Sequence, residues 1–161
     1  MKSQKLFSGI ILIGFGLYFL LKEFNIQFFA DFYTWPTLLI IVGIAFLIQG
    51  YRGNDYSNIL PGVIFTGFGL HFHLVNKLDI WPDHIGTFIL IIALGFLLQN
   101  QKSGQGIVNG MLFLLLAILL LFYQDIIQSL GFLKLEDNTV SIIIPILFLL
   151  TGSYYLFIQK K

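Results

Sequence analysis

Gly9-Ile-Ile-Leu-Ile-Gly14-Phe-Gly16-Leu recurs as Gly62-Val-Ile-Phe-Thr-Gly67-Phe-Gly69-Leu, with the glycines at the same spacing. A third copy starts at Gly110 and carries Leu115 and Ala117 where the other two have glycine. The second halves match as well. Pro36-Thr-Leu-Leu-Ile-Ile-Val-Gly43 corresponds to Pro145-Ile-Leu-Phe-Leu-Leu-Thr-Gly152, and the middle copy keeps Gly95 without the proline. Self-similarity of this length marks one architecture built by multiplication. The expected units are residues 5–50, 57–100 and 105–160, each a helical hairpin.

Composition names the solvent. The chain is 57% hydrophobic, 17% aromatic and 11% charged, with a mean hydropathy of +0.88. Roughly a quarter of an average globular sequence is charged, so a soluble domain of this length could not hide so much apolar surface. Cysteine is absent, which removes disulfides and thiolate metal sites. The net charge is +1 with no basic cluster, which argues against nucleic acid as a partner.

Charged residues divide the chain into six windows, 6–21, 32–51, 56–76, 85–101, 103–124 and 138–159, none of which holds Lys, Arg, Asp or Glu. About 20 helical residues cross a hydrocarbon core of roughly 30 Å. The first window is short, so its helix is expected to run past Lys22 through Phe24, with charged side chains snorkelling outward. The windows are continuously apolar without period-two alternation, which argues against strands. On this reading Lys2, Lys5, Arg52, Lys102, Lys160 and Lys161 share one side, and Lys22, Lys77 and Lys134 the other. The excess of Lys and Arg places both termini in the cytoplasm. The first stretch lacks a small-residue cleavage site and belongs to the repeat, so it is read as retained rather than as a signal peptide. The expected fold is all-α: six transmembrane helices, three hairpins, both termini inside.

Between units lie short polar turns, 49–58 and 99–106. The opposite tips are longer and aromatic: Phe24, Phe28, Phe29, Phe32, Tyr33 and Trp35 crowd the first, and Trp81 and Pro82 mark the second. Aromatic rings with a polar atom favour the headgroup region, so these read as an interfacial belt. Gly9 and Gly16, seven apart, share a helix face within about 20 degrees. Gly62 with Gly69 repeats that geometry, and Gly110 with Ala117 approximates it. Small residues let helices approach closely inside a bilayer, so these six positions, with Gly43, Gly95 and Gly152, are the expected packing residues. Gly14 and Gly67 lie off the stripe and are assigned to a second contact. Pro36 and Pro145 open their helices where the missing N–H has no intrahelical partner.

Candidate chemistry is sparse. His71, His73 and His84 gather near the second tip with Asp79 and Asp83. Residues two apart on a helix diverge, whereas a shared metal wants a spacing of three or four. They are therefore read as interfacial histidines, with no metal and no cofactor expected. No ionisable residue sits at mid-span, where one would mark ion or proton translocation. Tyr18, Thr66 and Thr151 are expected to bond to helix carbonyls. No Ser/His/Asp set, His-Glu-x-x-His or phosphate loop is present, so no catalytic residue is expected.

The Gly-x-Ile-Leu-Ile-Gly-x-Gly helix (Gly9–Gly16), the tip Phe24-Asn25-Ile26, Trp35-Pro36 and Gly43 together resemble the transmembrane region of LiaI- and LiaF-like proteins of Gram-positive bacteria. In the second copy the corresponding residues are Gly62–Gly69, Leu78-Asp79-Ile80 and Trp81-Pro82. The resemblance implies a role in cell-envelope stress: membrane anchoring of a cytosolic phage-shock-type protein, or modulation of a sensor kinase. LiaF-like proteins add a soluble C-terminal domain, which is not expected here, and LiaI-like proteins are shorter. The resemblance carries no individual functional residue across. The expected function is therefore a non-enzymatic scaffold or regulator of the bacterial plasma membrane. It would act on lipids or protein partners, with homo-oligomers plausible from the glycine faces. The alternative is a small permease or a membrane subunit of a transporter, which needs a watered cavity lined by Tyr18, Thr66, Asn109 or Thr151.

Overall fold

The computed structural model describes residues 2–75, 77, 78, 80–123, 125, 146, 149, 150, 152 and 153. The chain divides into two compact units, Met1–Phe122 and Tyr123–Lys161. In the second unit Ile146, Leu149 and Leu150 are exposed. Pro145, Thr151 and most of the sixth window lie outside the described residues, as does Asp79.

The first unit is helical throughout its described elements: α1 (Lys2–Glu23), α2 (Trp35–Arg52), α3 (Ile59–Leu74), α4 (Ile85–Ser103) and α5 (Ile107–Leu121), with a 3₁₀ turn (Tyr56–Asn58) ahead of α3. By length and apolar composition α1, α2 and α4 can each cross a membrane. α3 and α5 are shorter, at 16 and 15 residues. The 3₁₀ turn lengthens the path of α3 from about 24 Å to about 30 Å.

Local chemistry sets the helix ends. α1 stops at Asn25, which takes a left-handed φ of 54°. Ile26 N–H then bonds the Leu21 carbonyl at 3.0 Å and Asn25 N–H the Lys22 carbonyl at 3.1 Å. This pair of bonds satisfies carbonyls that a helix end leaves orphaned, and it gives the Phe24-Asn25-Ile26 motif its reason. Pro36 occupies the first turn of α2. Thr37 Oγ1 donates to the Phe32 carbonyl at 2.5 Å, and Thr87 Oγ1, at the start of α4, donates to the Pro82 carbonyl at 3.0 Å. Left-handed Gly104, at φ 70°, closes α4.

The broadest contacts join α2 to α3 and α4 to α5; α3–α4 is narrower and α1–α2 narrowest. The chain is therefore packed most closely across the short turns rather than within the units 5–50 and 57–100. Stacked phenylalanines mark both seams: Phe46 on Phe65 at 5.8 Å and Phe96 on Phe113 at 5.6 Å. Ala45, Ile59, Ala93 and Ala117 are fully buried at these contacts. α1 is peripheral. Between residues 5 and 23 only Tyr18 is buried.

Candidate functional site

Helix-seam glycines come first. A methyl group on Gly43 would press into the Thr66 backbone, lying 2.9 Å from its Cα and closer to its amide nitrogen and hydroxyl. One on Gly69 would meet the Pro36 carbonyl at 2.6 Å, and one on Gly62 the Leu47 amide nitrogen at 2.9 Å. On the second seam, Gly110 approaches Leu97 in the same manner, while Gly95 faces Leu60 of α3. Such contact is what small residues contribute where helices cannot be driven together by water. Gly14 and Gly67, off the stripe, face Ile41 and Ile91. A methyl on Gly9, Gly16 or Gly152 would meet no atom within 4 Å among the described residues.

The close approach at Gly43 corrects one expectation. The Thr66 hydroxyl does not bond back to a helix carbonyl; it is buried without a partner. The hydroxyl lies against the backbone of α2 at Gly43.

The second concentration of chemistry is the end of the bundle formed by the tips 24–34 and 75–84. His73 is buried in α3, and its Nε2 lies 2.9 Å from Thr37 Oγ1. Thr37 already donates its one proton to Phe32, so His73 must be the donor, which fixes its proton on Nε2. A relay His73–Thr37–Phe32 thus fastens the first tip to α3. His71, 1% exposed, does the same for the second tip. The Trp81 indole N–H donates to His71 Nδ1 at 2.8 Å. An indole can only donate, so the neutral imidazole carries its proton on Nε2, which lies 4.0 Å from Asp83. His84 caps α4 by accepting from Gly86 N–H at 3.1 Å. The three histidines therefore serve three separate bonds. Among the described residues no three His, Cys, Asp or Glu gather on a common point.

Aromatic edges fill the first tip. Tyr18 packs on Phe32 and Tyr33, and Phe29 on Phe32 and His73. The Tyr33 hydroxyl donates to the Ile26 carbonyl. Tyr33 precedes α2, and burial, then the neighbouring Tyr18 phenol, push its pKa above the ordinary tyrosine value. Lys77 reaches back across the bundle end, donating to the Ala30 carbonyl at 2.8 Å with its ammonium 4.9 Å above the Phe29 ring. Beneath it a cleft of about 280 Å³ opens, lined by Asp31, Thr34, Trp35, Phe72, His73 and Lys77. The sequence drew attention to the histidines and the aromatic belt. It did not pair Thr37 with His73, nor place Asp31 and Lys77, 46 positions apart, around one cleft. The signal was there in part, because threonine stands two residues after the start of both α2 and α4.

These elements define an all-helical membrane protein, with apolar helices and no strand among the described residues. Residues 6–47, which span most of α1, the first tip and most of α2, match the LiaI-LiaF-like transmembrane region, as the motifs led us to expect. The chain is also similar to the "Uncharacterized membrane protein YsxD" of Bacillus subtilis (strain 168). The two are 22% identical over 161 residues, covering 100% of this chain and 98% of the relative. No solved structure matches.

Proposed function

We propose that the protein is a non-enzymatic, multi-pass component of the bacterial plasma membrane, acting by contact as a scaffold or regulator in the response to envelope stress. Six spans form three hairpins, with both termini in the cytoplasm and the aromatic tips outside. Its partners are membrane lipids and either a cytosolic phage-shock-type protein, held at the membrane, or a sensor kinase.

One observation carries this reading above the others: the seams are built from glycine on backbone, at Gly43, Gly62, Gly69 and Gly110. A bundle so packed presents surfaces rather than a path. Tyr18 and Thr66, which a permease would need beside water, lie against Phe32 and Tyr33 and against Gly43. The LiaI-LiaF-like match over residues 6–47 supports the membrane part of this reading, and envelope stress is what the resemblance to that family implies. The hairpin repeat is supported by contacts that recur: the threonine clasps at Thr37 and Thr87, and the phenylalanine stacks on both seams.

The natural chain contains no cysteine, so single cysteines report topology directly. Ser57→Cys and Gln105→Cys are expected to be shielded from an impermeant maleimide in spheroplasts, and Gln27→Cys and Ile80→Cys to be labelled. The reverse pattern overturns the orientation. Tagged protein purified before and after cell-wall antibiotic treatment should retain a phage-shock-type protein or sensor kinase in a stress-dependent manner. Constant recovery of transporter subunits instead would favour the permease-accessory reading.

A further inference from the structure

The cleft at the tip end holds two opposite charges that leave each other unneutralised. Among the described residues the Asp31 carboxylate has no ion-pair partner within 4.0 Å. The Lys77 ammonium uses one donor on the Ala30 carbonyl and, having three, keeps others for a ligand. Thr34, the N-cap of α2, makes no side-chain capping bond, so the positive end of the α2 dipole adds to Lys77 on the same cleft. An anion is favoured beside Lys77 and the start of α2, and a cation beside Asp31.

Size and aromatic geometry narrow the ligand further. At about 280 Å³ the space falls just below the range of about 300–1,000 Å³ typical of small-molecule pockets. It suits a headgroup rather than a peptide or a whole metabolite of drug size. Trp35 and Phe72 pack on each other with centroids 4.6 Å apart. Their faces are thus partly spent, and they do not form the open aromatic box that a quaternary ammonium prefers. A primary ammonium, which donates hydrogen bonds to a carboxylate, is the better match to Asp31.

We infer that this cleft binds a phosphate zwitterion of the phosphoethanolamine class, with its phosphate at Lys77 and the start of α2 and its ammonium at Asp31. The inference rests on the contact-acting membrane reading for the placement of the cleft at a bilayer surface, where such headgroups are abundant.

The test is native mass spectrometry of the purified full chain in mild detergent, titrated with dioleoyl phosphatidylethanolamine, phosphatidylcholine or phosphatidylglycerol. Phosphatidylethanolamine should be retained about tenfold better than the other two, the worth of one charge-assisted hydrogen bond. Asp31→Asn should erase that preference while keeping the backbone, since asparagine accepts the left-handed φ of 62° found there. Lys77→Gln, which removes the charge while leaving a polar side chain, should weaken all three lipids. Soluble glycerophosphoethanolamine separates the sources. If it displaces the lipid, the headgroup alone suffices; if it does not, acyl chains contribute, and either result supports the site. Equal retention of the three lipids, or a preference unchanged in Asp31→Asn, overturns it. Absent binding with the cysteine topology intact sinks this inference alone. Reversed topology with binding intact sinks the outward placement alone.

Discussion

The α2–α3 seam and the α1 face are written in nearly the same letters and are packed in opposite ways. Both carry glycines seven apart on an apolar helix. In α3, Gly62 and Gly69 touch the backbone of α2, whereas in α1, Gly9 and Gly16 face open space among the described residues. α1 meets α2 instead through Gly14 and Ile41, and it leaves Leu12, Ile13, Leu17, Phe19 and Leu20 more than half exposed. The difference lies in which neighbour each stripe faces. Gly62 and Gly69 of α3 turn to α2, the helix before it, as Gly110 of α5 turns to α4, whereas α1 turns its Gly14 side to α2. A small-residue stripe permits close approach, and the neighbour it faces decides whether the approach occurs.

The sharpest way to break this comparison is at Gly43. Gly43→Ala places a methyl group on the Thr66 backbone, which has nowhere to yield, and overpacking of this kind costs about 1–3 kcal/mol. Unfolding in mixed detergent micelles, followed by loss of helical circular dichroism, should show that destabilisation. An unchanged transition would mean that α2 and α3 can part enough to admit a methyl group at no cost.

A smaller effect is expected where the first tip is clasped to α3. Thr37→Val removes the middle of the His73–Thr37–Phe32 relay and leaves a buried imidazole N–H without an acceptor. At this partly wetted end the loss should be about 1 kcal/mol. Paired with His73→Phe in a double-mutant cycle, the two changes should be less than additive, because they cut the same bond. Hydrogen exchange over residues 24–34 should rise in both. Full additivity would show that the two side chains act independently.

Much of this contrast could be read in the sequence, and the part that could not has a physical cause. Apolar windows and their flanking charges placed α1, α2 and α4 closely, because the length of apolar chain needed to cross a bilayer is fixed. Proline at 36 and the Phe24-Asn25-Ile26 tip foretold a helix start and a helix stop. The stripe Gly9/Gly16 was indistinguishable from Gly62/Gly69, because periodicity tells which residues share a face and not what that face meets. His71 and His73 looked like loosely gathered interfacial groups. Their partners, Trp81 and Thr37, come from different elements, and only the folded chain brings them within 2.8 and 2.9 Å. The cleft between Asp31 and Lys77 was hidden for the same reason.

Alkaline titration gives a finer measure of the tip. With its folded pKa raised, Tyr33 holds its proton more tightly in the folded chain than in the unfolded one. That contribution to stability is complete below the unfolded value of about 10 and is lost as pH rises from there through the higher folded value. Absorbance titration should show a late-ionising component, and Tyr33→Phe should remove it. A wild-type curve superimposable on that of the variant after scaling would mean that the fold does not hold the Tyr33 proton.

The smallest expected effect is the one that defines α1. Gly9→Ala and Gly16→Ala add a methyl group that meets nothing within 4 Å, so each should change stability by no more than about 0.5 kcal/mol in either direction. The same micelle unfolding that reports Gly43→Ala provides the scale. If Gly16→Ala is as damaging as Gly43→Ala, the α1 face has a close partner other than α2 to α5. Gly16→Leu then identifies it, because a second copy of the chain would be displaced by the larger side chain and the particle would shrink in light scattering. If both alanine variants are silent and the size is unchanged by leucine, the face meets fluid lipid. The seven-residue glycine spacing in α1 would then be a feature of the repeat that its position leaves unused.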